Sequence, residues 1–149
     1  MARIDFAFGA DDRLRMTCEV VRKHYASGRP LVIYTQNAPL LARFDRLLWG
    51  FEATAFIPHV DVNDPLAAQT RVLLTTQTPA VPPHWVTETS PAPWLINLDI
   101  QCPPTTDQFE RVLEIVSNDP DDVSAARQRW RQYKAEGHAV NAHDISGRT

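Results

Sequence analysis

The residue types that can carry catalysis are present in this chain but are not gathered. The five histidines, His24, His59, His84, His138 and His143, are scattered, and none pairs with a cysteine or another histidine at the short spacings that metal ions favour. Cys18 and Cys102 match neither a metal knuckle nor a disulfide framework. Ser27 precedes a glycine and Ser90 a proline, and no G-x-S-x-G elbow is present to aim a nucleophile. Asp61, Asp64, Asp119, Asp121 and Asp122 offer carboxylates for acid–base work, yet their positions better suit loop solubility and the positive end of a helix. A phosphate needs closely spaced glycines so that backbone N–H groups can approach it, and the turn Phe8-Gly9-Ala10-Asp11-Asp12 offers only one. The expectation is a chain without catalytic residues, metal or cofactor. The competing reading is a small α/β enzyme with a degenerate nucleotide or hydrolase site, which requires a convergent polar pocket at the carboxyl ends of the strands.

The elements that would position these side chains follow from hydrophobic period. Arg3 to Phe8 alternates as a short strand before Gly9, and from Asp11 or Asp12 the period becomes helical, with Leu14, Cys18, Val21 and Tyr25 on one stripe and Gly28 as the cap. Cys18 on that stripe reads as a core residue. Leu31 to Thr35 is a strand buried on both faces; Asn37 caps a helix carrying Leu40, Phe44, Leu47 and Leu48, ended by Gly50. Further extended segments are expected over Ala53–Ile57, Arg71–Thr75 and Trp94–Leu98. Five prolines in the eighteen residues from Thr76 to Pro93 predict a loop, because proline cannot donate to a ladder. Helices are expected over Asp107–Val116 and Pro120–Glu136, then a polar tail from about His138. Two β-α units in succession imply one α/β domain over residues 1–149, with a Rossmann-like, mostly parallel sheet flanked by helices and no nucleotide-binding loop.

Composition narrows the function classes. A hydrophobic content of 44% and a charged content of 22% argue against disorder and membrane residence. The net charge of −3 gives no global pull toward nucleic acid, so any basic site must be local. Two surface constellations stand out. Trp49 lies roughly 100° around its helix from the Leu40/Phe44/Leu47/Leu48 stripe, and Phe51, Phe56, Ile57 and Pro58 follow closely. This is either an aromatic docking patch or a cover over the core edge. On the last helix, Val123, Ala126, Trp130 and Tyr133 form an apolar stripe, with Arg127, Arg131 and Lys134 along one flank. That face suits a ligand combining negative charge with an aromatic group, or is simply a solvated basic face. Three cations on that flank are too few to favour direct nucleic-acid binding.

The segments Leu47-Leu48-Trp49-Gly50-Phe51-Glu52-Ala53-Thr54-Ala55-Phe56-Ile57-Pro58-His59 and Ala126-Arg127-Gln128-Arg129-Trp130-Arg131-Gln132-Tyr133-Lys134-Ala135-Glu136-Gly137-His138 resemble the chi subunit of bacterial DNA polymerase III. The resemblance covers nearly the whole chain and is weakest in the proline-rich middle. It implies a non-catalytic, cytoplasmic replisome subunit that links the clamp-loader complex to single-stranded DNA-binding protein, with no direct contact to DNA. Carried over residue by residue, it implies a surface for a psi subunit or a helicase-like protein at Trp49 and Phe56, with Ile57 and Pro58 beside them. It also implies a site for the acidic C-terminal tail of single-stranded DNA-binding protein at Val116, Arg127, Trp130 and Arg131. The family's aromatic there is commonly tyrosine and is tryptophan here. A basic residue expected one turn before Arg127 is Val123, which leaves Lys134 as the candidate substitute.

Overall fold

The computed structural model describes residues 1–51, 56–85 and 91–147. Its centre is a seven-stranded sheet formed by β1 (Arg3–Ala10), β2 (Leu31–Tyr34), β3 (Val60–Asp61), β4 (Val72–Thr75), β5 (Trp94–Asn97), β6 (Arg111–Ser117) and β7 (Ala139–Asp144), in spatial order β3-β4-β2-β5-β6-β1-β7. Each pairing among the described residues is parallel. The interior strands are apolar on both faces, which demands cover on both sides. Helices α1 (Arg13–Ala26) and α2 (Ala38–Gly50) cover one face, packing Leu14, Cys18, Val21, Phe44 and Leu48 on Leu31, Ile33 and Ile96. Helix α3 (Pro120–Ala135) covers the other. Asp12, Asn37 and Asp119 cap the three helices with side-chain bonds to backbone N–H groups. Gly28 follows α1 with φ +86°, the left-handed geometry a C-terminal glycine permits.

Two expectations near the C-terminus are overturned. Residues 111–116, expected as part of a helix, lie in the interior strand β6, and the supposed tail from His138 supplies β7 on the far side of β1. The reason lies in Glu114. A carboxylate in the run Val112-Leu113-Glu114-Ile115-Val116 suggests a polar face, but Glu114 is fully buried. It accepts hydrogen bonds from Asn97 Nδ2 at 2.8 Å, Tyr133 Oη at 2.7 Å and Arg129 Nε at 3.1 Å. The Arg129 Nη2 atom, 3.1 Å from the same carboxylate, pairs with it by charge but is misaligned for a further hydrogen bond. Burial would lower the guanidinium pKa, but the charge and hydrogen bond of Glu114 outweigh it and hold the group above its ordinary value. Burial beside Glu114 also pushes the Tyr133 hydroxyl up, so it stays a donor.

The proline-rich stretch is irregular over its described residues apart from a single 3-10 turn, Pro83–Trp85, which seats Trp85 in the core. Of the segment expected to be extended over Ala53–Ile57, residues 53–55 lie outside the described residues, and Phe56 and Ile57 are in no strand.

Breaking a buried ion pair from one side strands the other charge. Glu114→Leu and Arg129→Met are each expected to cost about 3–5 kcal/mol in urea unfolding, and the double variant to cost at least about 2 kcal/mol less than the sum of the singles. Additive losses would show that the pair does not act as a unit.

Candidate functional site

Parallel register builds one surface from four elements. Across β7, β1 and β6 the partners Ala142, Phe6 and Glu114 share one row, and Phe8 lies opposite Val116 two residues on, all toward α3. Glu114 holds Arg129, and the next residue on α3, Trp130, lies over Phe6 with ring centroids 5.2 Å apart. Between them remains an open, mostly apolar cavity of about 260 Å³, floored by Phe6, Phe8 and Val116, with Val123 and Trp130 on the helix side and Arg127 at its margin. Lys134 Nζ sits 5.5 Å from the Trp130 ring centroid, a cation–π distance.

The structure therefore brings Val116, Arg127 and Trp130 to one cavity. Arg131 and Lys134 do not line it but stand exposed further along α3. Arg127 and Arg131 are exposed and have no ion-pair partner among the described residues. Val123, the departure from the expected basic residue, is part of the apolar wall, so it exchanges charge for hydrophobic contact. Sequence reasoning missed Phe6, Phe8 and Ala142 as lining residues. The alternation of β1 puts Phe6 and Phe8 on one face, but which helix covers that face is not a local property.

The second constellation lies across the sheet, at the end of α2. Trp49 is 45% exposed and Phe56 72% exposed, with ring centroids 5.4 Å apart. Beneath them the His59 ring stacks on Trp49 at 4.0 Å. His59 is buried, its Nδ1 2.7 Å from the Ile57 carbonyl and its Nε2 3.1 Å from an Asp45 carboxylate oxygen. Both ring nitrogens thus face acceptors, which fixes the ring plane on which Trp49 rests. Ile57 does not present a surface as expected: it is 3% exposed and packs in the α1/α2 core, while Pro58 is half-buried. The physical reason is that the chain leaving α2 must plug the gap between helix and sheet with an apolar side chain. His59 is the residue whose supporting role had no sequence signal beyond its place after Pro58.

Neither surface is arranged for covalent chemistry. Burial pushes both thiols, Cys18 and Cys102, up to about 12. No group of His, Cys, Asp or Glu among the described residues is disposed to hold a metal ion. The crevice at the carboxyl ends of β5 and β6, where sheets of this kind receive nucleotides, is taken by Arg13. Its guanidinium donates to the carbonyls of Ile115 at 2.8 Å, Leu98 at 3.3 Å and Asn97 at 3.4 Å. Among the described residues, no helix is long and apolar enough to cross a membrane.

The family model described as DNA polymerase III chi subunit, HolC, matches residues 1–141. The chain is also 29% identical over 149 residues to a protein of Pseudomonas aeruginosa described as DNA polymerase III subunit chi, an alignment covering 97% of this chain and 98% of that one.

The contrast in burial predicts different costs at the second surface. Ile57→Ala is expected to cost about 2–5 kcal/mol, whereas Trp49→Ala is expected to cost about 1 kcal/mol or less, both read from chemical denaturation midpoints. Equal losses would mean that Trp49 is a core residue and not a docking group.

Proposed function

The chain belongs to the DNA polymerase III chi-subunit family, a replication accessory protein, and from that premise we propose that it is a non-catalytic adaptor with two docking faces. The cavity under Trp130 takes the acidic C-terminal tail of single-stranded DNA-binding protein. The Trp49/Phe56 patch takes a psi subunit or a helicase-like replisome protein, and the chain thereby joins single-stranded DNA-binding protein to the clamp-loader complex.

The observation that carries this reading is the Trp130 cavity itself: an apolar floor of Phe6, Phe8 and Val116 bordered by the guanidinium of Arg127, which has no ion-pair partner among the described residues. A tail ending in an aromatic residue has two features to satisfy. Its ring needs an apolar recess walled by aromatic and aliphatic groups, which Trp130 and Val123 supply. Its terminal carboxylate needs a charged donor at the rim, and Arg127 offers a planar fork matched to two carboxylate oxygens. Arg131 and Lys134, further along the same flank, add attraction for the acidic residues that precede the terminus and raise the encounter rate. The contact is small, so its affinity belongs in the micromolar range and draws its strength from the several tails that an oligomeric binding protein displays. Because the two docking faces lie on opposite sides of the sheet, both can be filled at once.

Titration with a peptide copying that tail tests the first face. Trp130→Ala is expected to weaken binding tenfold or more, since it removes the main wall, and Arg127→Ala to weaken it severalfold while flattening the salt dependence. Val123→Lys restores the missing cation and is expected to raise affinity at low salt. Binding that ignores all three changes would place the tail elsewhere. For the second face, recovery of replisome proteins on the Trp49→Ala/Phe56→Ala double variant is expected to lose one partner while retaining single-stranded DNA-binding protein. Undiminished recovery of every partner would remove the patch from the reading.

A further inference from the structure

The two edges of the sheet are unlike. On one side the sheet ends in β3, a strand of two residues, and shortness is a common protection of an exposed edge. On the other it ends in β7, six residues long and exposed at every position but Val140, with no proline, lysine or bulge to turn a partner away. Along a strand of a parallel ladder, successive residues point their N–H and C=O groups to alternate sides. Ala139 donates to the carbonyl of Ala2 and Ile145 to that of Phe8, so Val140 and Ala142 turn theirs away from β1. Those groups meet no further strand among the described residues.

The helix above this edge presents cations to it. Arg127, Arg131 and Lys134 are exposed on α3 and recur at helical spacing, so they form one stripe. Arg127 borders the cavity that Ala142 also lines, which sets the stripe on the β7 side of the helix. The other flank, with Gln128 and Gln132, meets Ile100 and Cys102 beyond β5. At the carboxyl end the edge is acidic. Asp144 closes β7, and Asp11 Oδ1 lies 3.4 Å from the amide nitrogen of Asn118, which lines the far end of the cavity. Ala142 is itself exposed, so no more than a methyl group separates the cavity from the edge.

We propose that the acidic tail received by the Trp130 cavity binds as an eighth strand, parallel to β7. The inference rests on the tail reading and adds the ligand's conformation and direction. The outward N–H and C=O groups of Val140 and Ala142 pair with the tail's main chain, and every second side chain of the tail faces α3. Along the helix Lys134 stands roughly 10 Å from Arg127, the span of about three extended residues. With the terminal carboxylate at Arg127, an acidic residue about three positions earlier meets Lys134. Because α3 begins beside the carboxyl end of β6 and ends beside the amino end of β7, that order runs parallel to β7. The opposite order would press the acidic residues against Asp144 and Asp11. The terminal ring crosses Ala142 into the cavity. Main-chain pairing accepts any extended segment, so the cations and the recess select the tail.

The test is titration of the isotope-labelled full chain with an acidic peptide ending in phenylalanine, followed by amide exchange and by the Trp130 indole resonance. At saturation, exchange at the Val140 and Ala142 amides is expected to slow about tenfold or more. Peptides N-methylated at single positions should lose about tenfold in affinity at every second residue beside β7 and little at those between. Ala142→Pro removes an outward donor without touching the bonds to β1 and is expected to weaken binding about tenfold. A nitroxide on the peptide's amino end should broaden the amides of Lys134, Gly137 and Ala139 and spare those of Asn118 and Asp144. Broadening at Asn118 and Asp144 instead overturns the parallel direction. A peptide that moves the Trp130 resonance but leaves exchange at Val140 and Ala142 unchanged, or shows no two-residue period on methylation, overturns strand addition and leaves the cavity reading standing. An unmoved Trp130 resonance overturns both.

Discussion

A single buried carboxylate organises the α3 side of this protein. Glu114 sits in the middle of the sheet with no exposure and collects Asn97 from the neighbouring strand and Arg129 and Tyr133 from the helix above. An ion that far from water is tolerated only when its lone pairs are occupied and its charge is matched. Satisfying it sets both the height and the rotation of α3. Arg129 and Tyr133 lie one turn apart on the helix and are held to one carboxylate, so α3 cannot slide or roll without unpairing a buried charge. Trp130, the residue between them, is thereby placed over Phe6, and the apolar cavity is what that placement leaves open.

The second consequence is separation. Seven parallel strands form a wall, with α3 on one side and α1 and α2 on the other. Trp49 and Phe56 lie on the α2 side, stacked over a histidine whose nitrogens are both engaged. Each aromatic group thus rests on a buried ring, Trp49 on His59 and Trp130 on Phe6. Aromatic anchors immobilised in this way give up little conformational freedom when a partner arrives. The adaptor role proposed for this chain needs two such faces, and the sheet sets them on opposite sides of one wall.

Charge follows a third axis, along the strands. A parallel sheet aligns its strand ends, so residues before each strand collect at one edge and residues after it at the other. Here Arg3, Arg29, Arg71 and Arg111 stand at the starts of β1, β2, β4 and β6, and Asp11, Asp12 and Asp119 follow β1 and β6. Arg13 closes the carboxyl edge by donating to three carbonyls. The edge at which such folds ordinarily hold anions is therefore filled and acidic.

Local chemistry determined much of this. Periodicity, the capping residues Asp12, Asn37 and Asp119 and the β-branched run at Leu31 located α1, β2, α2 and α3, because caps and amphipathic stripes are properties of neighbouring residues. The absence of a glycine cradle after β1 and the paired segments around Trp49 and Trp130 pointed to the family. Only the tertiary structure decided the rest. Residues 111–117 are a strand because the partners of Glu114 come from two other elements, β5 and α3, and no window around a lone glutamate contains them. The segment after His138 is a strand because β1 has an open side for it, a vacancy created by the order of strands and not by the segment's own polar composition. Ile57 turned inward and Val123 turned toward a cavity for the same reason: an apolar side chain goes where the fold leaves a gap, and gaps exist only once distant elements have packed.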